Sequence, residues 1–131
     1  MKTLIVEDEF TSRLLLQDFL SRYGRCHIAA NGEEAVEAVR TATANGASYN
    51  LICMDILMPG MDGKEAVKQV RALEESLGVL STQGVKIFMI TAADDISQVM
   101  QSFNELCDGY LFKPIDFSKL LMELKRFHLV E

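Results

Sequence analysis

The sequence predicts an α/β fold built on a doubly wound parallel sheet of five strands. Three observations point there. Five short apolar runs alternate with five longer stretches whose apolar residues recur at helical spacing. Several of the short runs are continuously apolar, the pattern of strands covered on both faces. The 131 residues show no repeat, low-complexity segment or domain linker, so one (βα)5 domain over 1–131 is expected.

The elements follow in order. Leu4-Ile5-Val6 is the first strand, and residues 11–22 form a helix with Leu15, Leu16, Phe19 and Leu20 as its core-facing stripe. Cys26-His27-Ile28-Ala29 is the second strand. An Asn31-Gly32 turn leads into a helix over 33–43, carrying Ala35, Val36 and Val39. Leu51-Ile52-Cys53-Met54 is the third strand, followed by a helix over 64–76 with Ala66, Val67, Val70 and Leu73. The stretch 77–84 reads as an enlarged surface loop. Ile87-Phe88-Met89-Ile90 is the fourth strand, and Ile96, Val99, Met100 and Phe103 mark a fourth helix over 95–106. Tyr110-Leu111-Phe112 is the fifth strand. The fifth helix spans 117–128 on Leu120, Leu121, Leu124 and Phe127, with Asp116 as N-cap. Right-handed crossovers are expected between the strands.

Composition excludes several classes. Hydrophobic residues make up 49% and charged residues 24%, the balance of a globular domain rather than a disordered chain. A net charge of −6 discourages non-specific nucleic-acid binding, and no direct nucleic-acid contact is expected. Cys26, Cys53 and Cys107 are odd in number and far apart, and His27 and His128 pair with nothing, which disfavours both zinc and a disulfide framework. The cysteines read as small buried hydrophobes in a reducing compartment. No apolar stretch approaches the roughly 18 residues of a membrane span. The N-terminal apolar run meets acid at Glu7, too early for a signal peptide. A cytoplasmic protein is expected.

In an open parallel sheet, ligands bind beyond the carboxyl ends of the strands. Glu7, Asp8 and Glu9 follow the first strand, Asp55 the third, Thr91 with the small Ala92 and Ala93 the fourth, and Lys113-Pro114 the fifth. Acids crowded at one sheet end either hold raised pKa values or surround a cation. With no His or Cys at these ends, Mg²⁺ is the economical cation. A dication beside a Thr hydroxyl and a Lys ammonium suits a phosphoryl group, with Asp55 as a candidate nucleophile. Each residue alone is ordinary turn or surface chemistry; the joint placement carries the signal. In Met58-Pro59-Gly60-Met61-Asp62-Gly63, Pro59 fixes its φ and Gly60 or Gly63 can adopt positive φ. Such a loop holds one shape and could aim the Leu57 carbonyl at the metal.

The segments Leu4 to Glu9, Met54 to Gly63, Ile90 to Ala93 and Tyr110 to Pro114 resemble the motifs of the receiver domain of two-component response regulators, the CheY-like family, over essentially the whole chain. The resemblance implies a flavodoxin/CheY-like strand order of 2-1-3-4-5. It implies that Asp55 is the phosphoacceptor, and that Asp8, Asp55 and the Leu57 carbonyl bind Mg²⁺ (or Mn²⁺) directly. Glu7, where many members carry Asp, would hold a metal-bound water. Thr91, Ala92 and Lys113 would meet the phosphoryl group, with Thr91 as the switch hydroxyl and Tyr110 as the switch aromatic. Pro59 and Gly63 would shape the loop, the Lys113–Pro114 bond would be cis, and Leu57 and Ala93 would tune phosphoryl lifetime. The implied partners are a sensor histidine kinase or phosphotransfer protein upstream and a protein target downstream. That target would meet the surface of the fourth helix, fifth strand and fifth helix. The protein would be a monomer or a weak phosphorylation-dependent dimer that turns over no separate substrate. With little chain after the fifth helix, a chemotaxis-like stand-alone regulator is expected, against a receiver cut from a larger regulator or a phosphorelay intermediate.

Other classes fit less well. A flavodoxin-like FMN binder needs a hydroxyl- and glycine-rich phosphate loop after the first strand, where Glu7-Asp8-Glu9 stands, and no Trp is present to stack on a flavin. An aspartate-nucleophile phosphatase usually carries a second acid two residues after its nucleophile, where this chain has Leu57. A pseudo-receiver would lack some of the key positions, and all are filled.

Overall fold

Side chains alternate between the two faces of a strand, and in this chain that alternation sorts the core into two layers. The computed structural model describes residues 1–56, 58, 60–79, 83–92 and 106–131. It contains β1 (Thr3–Val6), α1 (Phe10–Leu20), a 3₁₀ turn (Ser21–Tyr23), β2 (Cys26–Ala29), α2 (Gly32–Ala44), β3 (Leu51–Asp55), α3 (Gly63–Ser76), β4 (Lys86–Ala92), β5 (Gly109–Lys113) and a C-terminal helix (Phe117–Arg126). The strands form one parallel sheet in the order β2-β1-β3-β4-β5. The expected fourth helix lies outside the described residues, apart from Leu106, which sits in a turn.

Leu4, Val6, Ile52, Met54, Ile87 and Met89 face α2 and α3, where Val36, Val39, Ala66 and Val70 meet them. Ile5, Cys53, Phe88, Ile90 and Leu111 face the opposite layer, closed by Leu16 and Leu20 of α1 and by Leu120 and Leu124 of the C-terminal helix. Fully burying one such aliphatic side chain contributes about 1.5–3 kcal/mol, so the two layers dominate the fold's stability.

Capping fixes where the helices begin. Glu9 accepts from the N–H groups of Thr11 and Ser12, Asn31 from Glu34, Asp62 from Glu65, and Asp116 from Ser118 and Lys119. Asn31-Gly32 is therefore a cap and first helical residue rather than a separate turn. At the start of the 77–84 loop, Leu77 closes α3 and Gly78 follows at φ +77°, while residues 80–82 lie outside the described set.

One packing expectation needs correction. Leu15 is 53% exposed; the buried stripe of α1 is Leu16 and Leu20, with Phe19 half-buried against Phe117. β2 forms the sheet edge, as the order 2-1-3-4-5 implies, and its Ile28 is exposed.

Candidate functional site

The chain enters this sheet at β1, adds β2 on one side and then crosses to β3 on the other, so the order reverses between β1 and β3. Ligand crevices form at the carboxyl ends of strands at such a reversal. Glu7 directly follows β1, and its N–H extends the ladder by donating to the Ala29 carbonyl at 3.2 Å. That bond carries the Glu7 side chain inside, where it is fully buried. Asp55 is the last residue of β3 and is buried beside it, while Asp8 is exposed at the rim. One carboxylate oxygen from each of Glu7, Asp8 and Asp55 lies within 4.8 Å of the others.

Lys113 closes this acid cluster from a distance. It ends β5, and β4 stands between β5 and β3. Its four-carbon stem spans that gap, placing Nζ 3.2 Å from Asp55 Oδ2 and 3.4 Å from Glu7 Oε2. Two carboxylates thus share one ammonium. Burial, then the charge of Asp55 and a hydrogen bond to it, hold Glu7 above the ordinary carboxylate range, at about 7. The Glu9 N–H, which donates to Glu7 Oε1 at 3.2 Å, and Lys113 pull the other way without prevailing. For Lys113, burial pulls the pKa down, but Asp55 and Glu7 outweigh it and hold the ammonium above its ordinary value. Glu7 Oε2 accepts no hydrogen bond among the described residues.

The remaining expected residues distribute as follows. Thr91 is buried near the end of β4, one residue beyond Ile90, the register partner of Asp55. Ala92 ends β4 in register with Lys113. Tyr110 packs against the α2–α3 layer, the same sheet face on which alternation places Met89 and Thr91. Its hydroxyl is buried next to Cys107, and burial followed by the Cys107 thiol keeps the phenol above its ordinary pKa. The Lys113–Pro114 bond is cis. Leu57 and Pro59 lie outside the described residues, as does Ala93.

Gly63 does not take positive φ, whereas Gly60 does, at +76°. A Cβ on Gly63 would sit 2.5 Å from the Asp55 carbonyl oxygen and 2.9 Å from Ile56 Cα. The missing side chain lets α3 begin against the backbone of the acid it supports, and the Gly63 N–H donates to the Ile56 carbonyl at 3.0 Å.

Three residues at the site carried no assigned part in the sequence reading. Glu9, one of the crowded acids, faces away from the cluster: hydrogen bonds from Ser12, then Thr11, hold its carboxyl down at about 2 as the cap of α1. Gly32 packs under Met61, and Glu33 Oε1 accepts from the Met61 N–H at 3.0 Å. Helix caps have a local sequence signal; a bond between Glu33 and Met61, 28 positions apart, has none.

Comparison with known proteins agrees with this geometry. The model of the response regulator receiver domain matches residues 3–125. An osmosensing histidine protein kinase of Saccharomyces cerevisiae is 33% identical over 129 residues, 97% of this chain and 10% of that protein. The first five curated relatives are matched over 7% to 46% of their own lengths. Among solved structures, the receiver domain of the yeast response regulator Ssk1, crystallised with the histidine phosphotransfer protein Ypd1, has a TM-score of 0.79 at 30% identity. That match covers 97% of this chain and 88% of that one. The receiver domain of a sensor histidine kinase from Pseudomonas aeruginosa PAO1, solved with a magnesium ion in its active-site cleft, has a TM-score of 0.76 at 25% identity. It covers 96% of this chain and 95% of that one. With the strand order, the acid cluster and a family match over nearly its whole length in agreement, the chain belongs to the response regulator receiver domains of two-component signalling.

Proposed function

We propose that Asp55 accepts a phosphoryl group from the phosphohistidine of a sensor kinase or phosphotransfer protein, in a Mg²⁺-dependent reaction that controls a protein partner. One observation carries this reading: three carboxylates converge within 4.8 Å, and a single ammonium stands 3.2 Å from Asp55 Oδ2. The donors are hard oxygens, which suit Mg²⁺. The buried Glu7 Oε2, which has the Lys113 ammonium 3.4 Å away but accepts no hydrogen bond among the described residues, is the kind of acceptor that an ion's bound water would satisfy. The residues therefore fit the ion. Asp8 and Asp55 would hold it directly with the Leu57 carbonyl, Glu7 would act through water, and Mn²⁺ could substitute. When bound, such an ion neutralises charge developing on the phosphoryl oxygens.

The chain's own residues do the rest. An Asp55 oxygen attacks phosphorus, the P–N bond breaks as the O–P bond forms, and the imidazole leaves with the electron pair. Lys113, already within reach of Asp55, stays as the cation beside the new group. Phosphorylation adds about −1.5 to −2 charge, toward which the Thr91 hydroxyl turns. Tyr110, on the same face, follows and alters the surface it shares with the C-terminal helix. A cavity of about 210 Å³ lies there, lined by Tyr110, Phe112, Pro114, Lys119 and Met122, which supports a protein-binding output face. Inverting a 1:99 population needs about 5.5 kcal/mol of differential stabilisation, within reach of a few charge-assisted contacts.

A receiver cut from a larger regulator, or a phosphorelay intermediate, is the second reading. It is favoured by relatives, the yeast kinase among them, in which the matching segment is a small share of the protein; the first is a stand-alone, chemotaxis-like regulator. Onward transfer from Asp55 to a purified histidine phosphotransfer protein separates the two. No helix among the described residues is long and apolar enough to cross a membrane, and we place the domain in the cytoplasm as a monomer or weak phosphorylation-dependent dimer. Acetyl phosphate with Mg²⁺ tests the core of the reading by intact mass: one phosphoryl group should add, and Asp55→Asn should abolish it. Addition that survives Asp55→Asn, or proceeds equally in chelator, would overturn it.

A further inference from the structure

The loop between Asp55 and α3 must hold one shape for Asp55 and its neighbours to act together, and its described ends are tied on both sides. On the α3 side, the Gly63 N–H holds the Ile56 carbonyl. On the other side stands the first turn of α2. Asn31 caps that helix through the Glu34 N–H at 2.8 Å, and Glu34 returns its carboxylate to Asn31 Nδ2 at 3.2 Å. This reciprocal cap leaves Glu33 without a capping duty. Its carboxylate instead crosses to the loop and accepts from the Met61 N–H at 3.0 Å.

The fit around that bond is close. A Cβ on Gly32 would meet the Met61 carbonyl oxygen at 2.6 Å, so only glycine lets α2 approach the loop. A Cβ on Gly60 would come within 3.3 Å of Glu33 Oε1, and Gly60 sits at φ +76°, a conformation that glycine adopts freely. The carboxylate also lies in the first turn of its own helix, where the backbone dipole favours a negative charge.

We infer that Glu33 is a positioning residue for the phosphoacceptor: through Met61 it clamps the loop that follows Asp55, and the geometry at Asp55 depends on that clamp. The inference rests on the proposed role of Asp55. Glu33 touches no reacting group, so its effect passes through loop shape alone. Small misplacements of reacting atoms cost large rate factors, and loss of one hydrogen bond to a charged acceptor is worth about a tenfold change in the population of the ordered loop.

The test compares Glu33→Ala and Glu33→Gln with the wild type in three measurements. They are the initial rate of phosphorylation by acetyl phosphate with Mg²⁺, the melting temperature, and hydrogen exchange at the Met61 amide. Glu33→Ala should slow phosphorylation about fivefold or more and speed Met61 exchange by a similar factor, with Tm within about 2 °C of wild type, since one exposed bond is lost. Glu33→Gln keeps an acceptor oxygen and should retain at least half the rate. A wild-type rate in Glu33→Ala, or an equal fall in both variants, would overturn the clamp. If the wild type itself is not phosphorylated on Asp55, the functional reading fails separately; unchanged Met61 exchange in Glu33→Ala would then also dispose of the clamp.

Discussion

Glu7 makes the metal-free protein sensitive to pH in an unusual direction. Its carboxyl is held at about 7 in the fold against an ordinary 4.5. Between these values the folded chain keeps a proton that the unfolded chain has already lost. Stability from this group is thus fully present below about pH 4.5 and is lost as pH rises through 7. That difference corresponds to about 3 kcal/mol, most of it lost between pH 5 and pH 8 by linkage. Urea unfolding in chelator at a series of pH values measures this loss, and Glu7→Gln supplies the control. The amide is neutral, nearly isosteric and still able to donate to Asp55, so its stability should hardly change over the same range. Mg²⁺ should act in opposition, stabilising the wild type most at pH 8, by about 2.7 kcal/mol at a hundredfold excess over Kd. Parallel pH profiles for wild type and Glu7→Gln in chelator would show that the buried acid does not carry the proton, and the electrostatic account of the site would fall.

Other outcomes follow from single contacts. Lys113→Met removes the ammonium that two buried acids share; it should slow phosphorylation from acetyl phosphate by 10-fold or more while leaving Mg²⁺ affinity, measured calorimetrically, within about threefold. A variant that loses mainly metal binding would contradict the role given to Lys113. Gly63→Ala forces a methyl to within 2.5 Å of the Asp55 carbonyl oxygen, so it should cost at least about 2 kcal/mol in urea unfolding and depress phosphorylation as well; a neutral result would mean α3 can retreat freely. His128 occupies φ +58° just beyond the C-terminal helix, with its N–H bonded to the Lys125 carbonyl and the Leu129 N–H bonded to Leu124. His128→Gly relieves that backbone conformation and should stabilise by about 1 kcal/mol, read as a rise of several degrees in Tm.

What could be read from the chain beforehand, and what could not, divides by the range of the interaction. Strands β1, β3 and β4 declared themselves because each is buried on both faces, so burial writes a continuous apolar run into the sequence. β2 is less plain: Cys26 to Ala29 carries His27 and an exposed Ile28, as suits the sheet edge where the family resemblance places it. Leu15 misled because its helical spacing fits the α1 stripe as well as Leu16 does, yet only Leu16 is buried against the sheet. The Arg71 network was invisible for a further reason. Its guanidinium binds the Leu106 and Val85 carbonyls, Glu74 and Asp108, tying α3 to the entrances of β4 and β5. An arginine on a helix looks like a solvated charge until those backbone oxygens are placed around it.

The acid cluster was legible because its geometry is inherited from the sheet. Parallel strands deliver their carboxyl ends to one edge, so a residue's place in sequence relative to its strand already fixes its neighbourhood. Such placement also works against stability. Glu7 and Asp55 are buried carboxylates with one ammonium between them, and a fold selected for stability alone would bury apolar groups there instead. The arrangement becomes favourable once positive charge enters beside it. On the function proposed above, such a site responds steeply to a dication. That response needs the carboxylates held against their own repulsion, which requires backbone rather than side-chain rigidity. The tight seat of Gly63 and the ladder bond from Glu7 to Ala29 supply it. Loosening either one should reduce metal affinity before it unfolds the domain, an order of events that titration of Gly63→Ala with Mg²⁺ at increasing urea would display, and that simultaneous loss of both would exclude.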